Sequence, residues 1–175
     1  EILDFNPKKV LIIGEGNGLV SEYLKLSDMK IVVLDIDEAL NPDVVASVLK
    51  MPFRDNEFDA VLCAQVLEHL PYEDFGQALS EIKRVAKIGA VISLPHFGPA
   101  IRFLFKFPFF PEIKFMIKLP YPKVHKFKDE HYWEIGKRSY SLKKIKKEIM
   151  KSGLAIEKDY IVFENPLHHF FILKK

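Results

Sequence analysis

A buried strand, a glycine-rich turn and a helix follow one another near the start of the chain. Residues 9–13 read Lys-Val-Leu-Ile-Ile, and Gly14-Glu15-Gly16-Asn17-Gly18 follows at once. Apolar residues then recur at helical spacing, at Leu19, Val20, Tyr23, Leu24 and Leu26. A short apolar run of this kind is typical of a strand buried on both faces of a parallel sheet. Glycines allow a tight turn and a close approach of the backbone to a ligand, so this order of elements predicts an α/β fold with a ligand site after the first strand.

The rest of the chain continues the alternation of strands and helices. Further strands are predicted at residues 31–34, 44–49, 58–63 and 90–95. A helix is predicted over 72–87 and ends at Gly89, and a lysine-rich helix over 141–152 has Ser141 as its N-cap and Gly153 at its end. Two strands, at about 155–163 and 168–173, finish the chain. Strands that alternate with helices indicate right-handed βαβ units and five parallel strands.

Residues 96–132 do not fit this alternation. They hold ten aromatic, seven basic and three acidic side chains, with prolines at positions 99, 108, 111, 120 and 122. Proline breaks regular elements, so we expect short pieces that form a cap inserted after strand five. Three interpretations of the aromatic residues Phe103, Phe105, Phe107, Phe109 and Phe110 stay open. They form the core of the cap, they line a pocket for an apolar or lipid-like acceptor, or they contact an anionic membrane surface or stack on nucleotide bases.

Composition restricts the setting in which the chain works. With 175 residues, 49% of them hydrophobic, the chain fits a single domain over residues 1–175. Cys63 is the only cysteine and cannot form an internal disulfide, which favours the cytoplasm. No apolar stretch reaches the roughly 18 residues that a membrane-spanning helix needs, and no secretion signal opens the sequence. The net charge of +2 gives little support to a nucleic-acid partner, although peripheral membrane contact stays open.

Asp35 is a second candidate ligand residue. It lies 21 residues after Gly14, at the end of the second predicted strand, where a carboxylate can accept hydrogen bonds from two ribose hydroxyls. Both motifs then fall at the carboxyl ends of neighbouring strands. The dinucleotide fingerprint requires a further glycine where this chain has Leu19, which argues mildly against a pyrophosphate ligand.

Taken together, these segments resemble the class I S-adenosylmethionine-dependent methyltransferases, in particular their type 11 group. The segments that carry the resemblance are residues 10–18, Val33-Leu34-Asp35-Ile36, Met51-Pro52-Phe53 and Phe58-Asp59-Ala60-Val61. The resemblance implies a doubly wound, Rossmann-like sheet of seven mostly parallel strands in the order 3-2-1-4-5-7-6, with the last strand antiparallel. It covers residues 8–95 well, the final helix and strands more loosely, and the cap not at all.

The same resemblance implies a set of cofactor-binding residues. Gly14, Glu15, Gly16, Asn17 and Gly18 would wrap the methionine part of S-adenosylmethionine, Asp35 would hold the ribose, and Ile36 would pack on the adenine. Ser47, Val48 and Leu49 match the stretch at the adenine edge, and Cys63, Ala64 and Gln65 match the residues that flank the sulfonium. This chain departs from the family at Ile12 and Ser47, where many members have acidic residues.

Methyl transfer makes few demands on side chains, because a sulfonium methyl is already activated and the main requirement is alignment. An oxygen or nitrogen nucleophile still needs a base. His96, just after strand five, is the first candidate, and His69, His125, His131 and Glu134 follow. No metal site is expected from His125, His131, His168 and His169, because no thiolate and no H-E-x-x-H spacing accompany them.

The expected function is therefore methyl transfer from S-adenosylmethionine to an unidentified small or apolar acceptor, with S-adenosylhomocysteine as product. Two alternatives stay open. A non-catalytic domain that binds S-adenosylmethionine or a partner is favoured by Ile12 and Ser47. A nicotinamide-dependent oxidoreductase shares the glycine loop and the ribose carboxylate, but Leu19 and the short chain argue against it.

Overall fold

The computed structural model describes residues 1–119, 121, 123–127 and 131–175. The main strands are β1 (Lys9–Ile13), β2 (Lys30–Asp35), β3 (Val44–Val45), β4 (Phe58–Ala64) and β5 (Ala86–Pro95), and β6 (Ala100–Phe105) and β7 (Ile113–Lys118) form a separate hairpin. The chain closes with β8 (Ala155–Ile161) and β9 (His168–Lys174). The described α-helices are α1 (Leu19–Lys25), α2 (Phe75–Val85) and α3 (Leu142–Lys151).

The large sheet has the order β3-β2-β1-β4-β5-β9-β8. Strands β1 to β5 pair in parallel, whereas β9 runs antiparallel to both β5 and β8. Counted within this sheet alone, β8 and β9 are its sixth and seventh strands. The predicted order 3-2-1-4-5-7-6 and the antiparallel last strand are therefore confirmed.

Two apolar layers cover the two faces of the sheet. Helices α2 and α3 pack on one face around the fully buried Trp133. The other face is covered by α1 and the 3₁₀ turn Ile2–Phe5, and it is thinner. Of the apolar residues predicted on α1, Leu24 is buried, whereas Leu19 and Leu26 are 70% and 86% exposed. The helix has only seven residues and rests on the sheet through Ser21 and Leu24.

The junction of α2 and β5 differs from the predicted one. Helix α2 ends at Val85 and β5 begins at the next residue, so Gly89 lies inside β5 and does not end the helix. Gly89 pairs with Lys174 of β9, and a Cβ at this position would collide with the carbonyl of Leu173. The glycine is thus needed for a close approach of two strands. The third strand is also shorter than predicted, because a turn begins at Ser47, whose carbonyl accepts from Lys50 N at 3.1 Å.

The predictions for α3 are confirmed. The Ser141 hydroxyl accepts from the backbone N–H of Lys144 at 3.2 Å, as an N-cap does, and Gly153 has φ +84°. Ile145 and Ile149 are the residues that α3 buries.

Residues 96–132 contain the hairpin β6–β7, in which Phe103 pairs with Phe115. Pro99 precedes the hairpin and Pro108 and Pro111 lie in its turn, whereas Pro120 and Pro122 lie outside the described residues. The interpretation of the aromatic residues as the core of the cap is wrong. The five phenylalanines at 103, 105, 107, 109 and 110 are between 44% and 105% exposed. A two-stranded hairpin has no second layer of its own that would cover them. No described helix has both the length and the apolar character that crossing a bilayer requires.

Candidate active site

The glycine loop joins β1 to α1 through backbone conformations that favour glycine. Gly14, Gly16 and Gly18 have φ of +85°, +55° and +74°. A Cβ at Gly14 would collide with the side chain of Val66, which follows β4, whereas nothing lies within 4 Å of a Cβ at Gly16. The loop therefore packs closely against the end of β4 and keeps open space beside Gly16.

Asp35, at the end of β2, holds this loop in place. Its Oδ2 accepts from the backbone N–H of Glu15 at 2.7 Å, and its Oδ1 accepts from that of Asp37 at 3.0 Å. Each carboxylate oxygen can accept a second hydrogen bond, so Asp35 still has capacity for the hydroxyls of a ligand.

Glu15 is oriented toward the start of α1. Its Oε1 accepts from the hydroxyl of Ser21 at 2.7 Å. Its Oε2 is buried and has no hydrogen-bond partner among the described residues. A buried acidic oxygen without a partner is costly, which indicates a place for a donor or a cation.

A cavity opens where β1, β2 and β4 end. It has two adjoining parts of about 610 and 170 Å³, which share Gly14, Asp35, Ile36, Val66 and His69. We call it the loop cavity. Its volume is in the range of pockets that hold small molecules of cofactor size.

Eight of the thirteen residues expected to bind the cofactor line this cavity, namely Gly14, Gly16, Asp35, Ile36, Ser47, Val48, Ala64 and Gln65. The remaining five, Glu15, Asn17, Gly18, Leu49 and Cys63, do not line it. Cys63 is fully buried in the apolar core, and burial raises the pKa of its thiol. Consecutive residues of a strand point to opposite faces, so the side chain of Cys63 packs inward, away from the cavity.

Several lining residues were not predicted from the sequence, among them Val66, Phe127 and Tyr132. Val66 lies one position beyond the predicted stretch after strand four, and Phe127 and Tyr132 come from the cap. The rings of Phe127 and Tyr132 meet edge to face at 4.8 Å between centroids. The high aromatic content of the cap left open that some of its rings contact a ligand, but the sequence did not identify which rings line the cavity.

A second, smaller cavity lies beside the first, after β4 and β5. It measures about 240 Å³ and is lined by Gln65, Pro95, His96, Phe97, His131, Glu134, Leu167 and His168. We call it the histidine cavity. Gln65 lines both cavities, and its left-handed φ of +55° is uncommon for a residue other than glycine. The two cavities thus meet at one strained residue.

His96 begins a chain of polar groups that runs from the end of β5 to β9 and β8 and is buried at His96 and His169 and half-buried at Asp159. Nδ1 of His96 lies 3.0 Å from Nδ1 of His169, and Nε2 of His169 lies 3.0 Å from Oδ1 of Asp159. Lys146 donates to the other oxygen of Asp159 at 2.7 Å. We call His96, His169 and Asp159 the histidine relay.

The surroundings keep both rings of the relay neutral. Burial, together with the nearby His169 and Lys118, lowers the pKa of His96 to about 3. Burial also lowers the pKa of His169, although its bond to Asp159 opposes this. For Asp159 burial acts in the opposite direction, but the bonds from Lys146 and His169 outweigh it and lower the pKa of the carboxyl.

These contacts determine which ring nitrogens carry protons. The Asp159 carboxylate only accepts, so Nε2 of His169 is protonated and donates. The Nδ1 of a neutral His169 is then an acceptor, and Nδ1–H of His96 donates to it. Nε2 of His96 is left without a proton and can accept one.

The other base candidates surround Glu68. Glu68 is completely buried, and burial raises its pKa to about 8, with a smaller contribution from Glu134. One ligand atom from each of Glu68, His69 and His131 lies within 4.8 Å of the other two. His131 contacts Glu134 at 3.5 Å, and His125 Nε2 lies 2.9 Å from the carbonyl of His131. Of these candidates, His131 and Glu134 line the histidine cavity together with His96.

Comparison with known families addresses the first half of the chain. Residues 11–94 match a family model described as a methyltransferase domain. An uncharacterized protein of Methanocaldococcus jannaschii is 37% identical over 89 residues, which are 47% of this chain and 38% of that protein. A demethylmenaquinone methyltransferase of Corynebacterium urealyticum is 32% identical over 108 residues, which are 57% of this chain and 46% of that enzyme. The chain thus matches less than half the length of these relatives.

Comparison with solved structures covers nearly the whole chain. The 1,6-didemethyltoxoflavin-N1-methyltransferase of Burkholderia thailandensis, solved with bound 1,6-didemethyltoxoflavin and S-adenosylhomocysteine, aligns with a TM-score of 0.66. The alignment covers 99% of this chain and 74% of that one, at 14% identity, which shows a shared fold. The family match and the sheet order agree: residues 11–94 have the sequence pattern of a methyltransferase domain, and the chain shares the fold of this solved methyltransferase.

Proposed function

We propose that this protein binds S-adenosylmethionine in the loop cavity and transfers its methyl group to a small acceptor in the histidine cavity. The observation that carries the proposal is the meeting of the two cavities at Gln65, next to the glycine loop and Asp35. A methyl donor and an acceptor must lie next to each other for an in-line displacement. The methyltransferase names of the relatives support the same reaction.

The residues of the loop cavity fit this cofactor. Asp35 would accept from the ribose hydroxyls while it holds the loop through Glu15. Ile36 and Val48 offer apolar contacts to the adenine, and Ser47 offers a hydroxyl where many relatives have an acidic residue. Glu15 would act on the cofactor indirectly, because its backbone N–H binds Asp35 and its side chain fixes the loop against Ser21 of α1. Ile12 is 4% exposed and packed in the core, so it would offer the cofactor no polar contact.

The bound cofactor would supply an activated methyl group on sulfur, and the chain would align the acceptor and take up its proton. In this proposal His96 is the base. Its unprotonated Nε2 accepts the proton, and its Nδ1 proton passes to His169 across the 3.0 Å contact. The positive charge then rests on His169 beside the Asp159 carboxylate. The relay thus offsets the weak basicity that burial gives to His96.

The proposal treats residues 1–175 as one catalytic domain, with 96–132 as an insertion that contributes Phe127 and Tyr132 to the loop cavity. It includes a cytoplasmic location, because Cys63 has no second cysteine with which to pair. The acceptor is a small molecule, since the histidine cavity measures only about 240 Å³.

Calorimetric titration with S-adenosylmethionine, S-adenosylhomocysteine and NADH tests the cofactor. We expect micromolar binding of the first two and no binding of NADH. Binding of NADH alone would favour an oxidoreductase, and binding of none of the three would contradict the proposal.

A second measurement separates an enzyme from a non-catalytic binding domain. The protein is incubated with methyl-labelled S-adenosylmethionine and fractions of small cellular molecules, and transfer of the label is followed. We expect labelled product and S-adenosylhomocysteine in equal amounts. Tight binding with no transfer to any fraction would favour the non-catalytic alternative.

A further inference from the structure

The hairpin β6–β7 has one face made only of apolar side chains. Side chains alternate between the faces of a strand, and the pairs Ile101–Ile117, Phe103–Phe115 and Phe105–Ile113 stand side by side on one face. These six side chains are between 42% and 58% exposed. We call them the hairpin face. Apolar patches of this kind on a folded surface mark interaction sites.

The opposite face of the hairpin is tied to the domain through basic side chains. Arg102 donates to the carbonyls of Phe163 and Glu164, at 3.0 and 3.1 Å. Lys114 donates to the carboxylate of Glu164 at 2.6 Å, and Lys118 donates to the carbonyls of His96 and Pro166, both at 2.7 Å. Because this face is held by the domain, the hairpin face points outward.

The turn of the hairpin extends the apolar surface. Phe107 and Phe110 are 56% and 71% exposed, and Phe109, with φ +68°, is completely exposed. Lys106, beside them, is 70% exposed at its side chain and pairs with Glu112 at 3.2 Å. The turn thus presents three phenylalanines at its tip and a lysine at their base.

We propose that the hairpin docks on an anionic lipid bilayer, with the three phenylalanines of its turn inserted at the level of the headgroups. A bilayer accommodates a protruding tip, and long basic side chains beside it can reach anionic headgroups while their stems lie on apolar surface. The charge of the segment fits this partner, since residues 96–132 hold seven basic and three acidic side chains. Three of the basic ones attach the hairpin to the domain, and Lys106 lies exposed beside the tip. A second copy of the chain fits less well, because a twofold interface would bring two segments of the same charge together.

The histidine cavity lies at the base of the hairpin, since Lys118 of β7 donates to the carbonyl of His96, whose ring lines that cavity. The turn lies at the other end of the two strands, about 20 Å away along six residues. The docking therefore does not depend on the proposed function.

Flotation with lipid vesicles tests the docking. The full chain is mixed with vesicles of phosphatidylcholine alone or with about one third phosphatidylglycerol. We expect partition into the anionic vesicles that weakens at high salt, and little partition into neutral ones. The variant F109S/F110S should partition at least about tenfold less, because two exposed rings no longer insert. Lys106→Gln should lower partition about fivefold on anionic vesicles only.

A matched control removes two exposed apolar residues elsewhere. Leu26 and Met150 are 86% and 57% exposed, and L26S/M150S should partition like the wild type. The melting temperature and the S-adenosylmethionine affinity of F109S/F110S should equal those of the wild type. A loss of partition in this variant is then due neither to misfolding nor to a damaged cofactor site. Absence of partition into anionic vesicles, or equal partition of the two double variants, would overturn the docking. So would a dimer in solution that F109S/F110S abolishes, which would assign the hairpin face to a second copy.

Discussion

Single polar side chains at the carboxyl end of the sheet serve the fold and the site together. Asp35 shows this, because its two oxygens accept from the backbone of Glu15 and of Asp37 and would also hold the ribose. Glu68 is buried, and burial raises its pKa to about 8. The carboxyl stays protonated, which reduces the free-energy cost of burying it. Both residues therefore allow predictions in which a small chemical change has a measurable effect.

Asp35→Ala should weaken binding of S-adenosylmethionine by about 1–3 kcal/mol, the scale of lost hydrogen bonds to a charged group. Asp35→Asn keeps an acceptor oxygen and should lose less. Calorimetric titration measures both affinities. Asp37, which caps the turn Glu38–Leu40 by accepting from Ala39 N at 2.9 Å, supplies the control Asp37→Ala. Wild-type affinity in the Asp35 variants would remove Asp35 from the binding site.

Glu68→Gln should change how stability depends on pH. The folded-state pKa of about 8 lies above the ordinary value of 4.5, so between these two values the unfolded chain releases a proton that the folded chain keeps. The free energy of unfolding therefore falls as pH rises through this interval. A glutamine does not titrate, so the variant should lose this part of the decline. The melting temperature of the variant minus that of the wild type should therefore increase from pH 5 to pH 8. The exposed Glu73 provides the control Glu73→Gln, and equal pH profiles for Glu68→Gln and the wild type would contradict a raised pKa.

At the scale of elements, glycines allow two segments of the chain to approach each other closely at defined places in the sheet. Gly14 lies against Val66, and Gly89 lies against the carbonyl of Leu173 on the neighbouring strand. Gly16 differs, because the space around it is open and only its φ of +55° favours glycine. The hairpin β6–β7 is an element of another kind, since basic side chains on one face attach it and apolar side chains occupy the other.

The two loop glycines should therefore respond differently to alanine. Gly16→Ala should cost about 1–2 kcal/mol of unfolding free energy, the strain of a left-handed residue. Gly14→Ala should cost more, because its Cβ also collides with Val66. Val66→Ala makes room for that Cβ, so the double variant G14A/V66A should recover part of the loss relative to the sum of the single changes. Chemical denaturation measures all four proteins, and strict additivity would contradict the collision.

The whole molecule brings together groups that are far apart in the sequence. The histidine relay joins the residue after β5 to residues of β8 and β9, and these strands become neighbours only because β9 inserts between β5 and β8. The same sheet order places the glycine loop and the histidine cavity at one edge. The proposed placement of the cofactor in the loop cavity and of the acceptor in the histidine cavity thus follows from the strand order.

Asp159→Asn should lower the rate of methyl transfer at least about tenfold, because the positive charge that reaches His169 loses its carboxylate. The affinity for S-adenosylmethionine should not change. Glu157→Gln, on the same strand, is the control, since Glu157 is exposed and contacts only Lys174 at 3.5 Å among the described ion pairs. Equal rates in the two variants would contradict the relay.

Nitrogen-15 NMR of the histidine rings tests the relay without an acceptor. Burial lowers the pKa of His96 to about 3, so its ring should stay neutral from pH 5 to pH 8. Its Nε2 should show the chemical shift of an unprotonated nitrogen throughout. A transition near pH 6.5 at this nitrogen would contradict the assigned tautomer.

The local order of strand, glycine loop and helix could be read from the sequence because it depends on neighbouring residues. Hydrophobic runs and turn residues predicted each strand of the large sheet, and Ser141 and Gly153 predicted both ends of α3. Gly14 and Asp35 could be assigned to one site because the carboxyl ends of adjacent parallel strands meet at one edge. The strand order and the full set of cofactor residues came from the family resemblance, and eight of those residues line the loop cavity.

Only the tertiary structure decided which side chains face the cavities and which face the core. Cys63 and Ala64 are neighbours in sequence, yet one is in the core and the other at the cavity, because a strand alternates its faces. Gly89 resembles the end of a helix but serves the contact of β5 with β9, a strand more than eighty residues away. The aromatic cap resembled a small core, but with no second layer to cover them its rings remain on the surface. Sequence therefore determined the elements and the position of the loop, whereas contacts between distant residues determined burial, the histidine relay and the outward face of the hairpin.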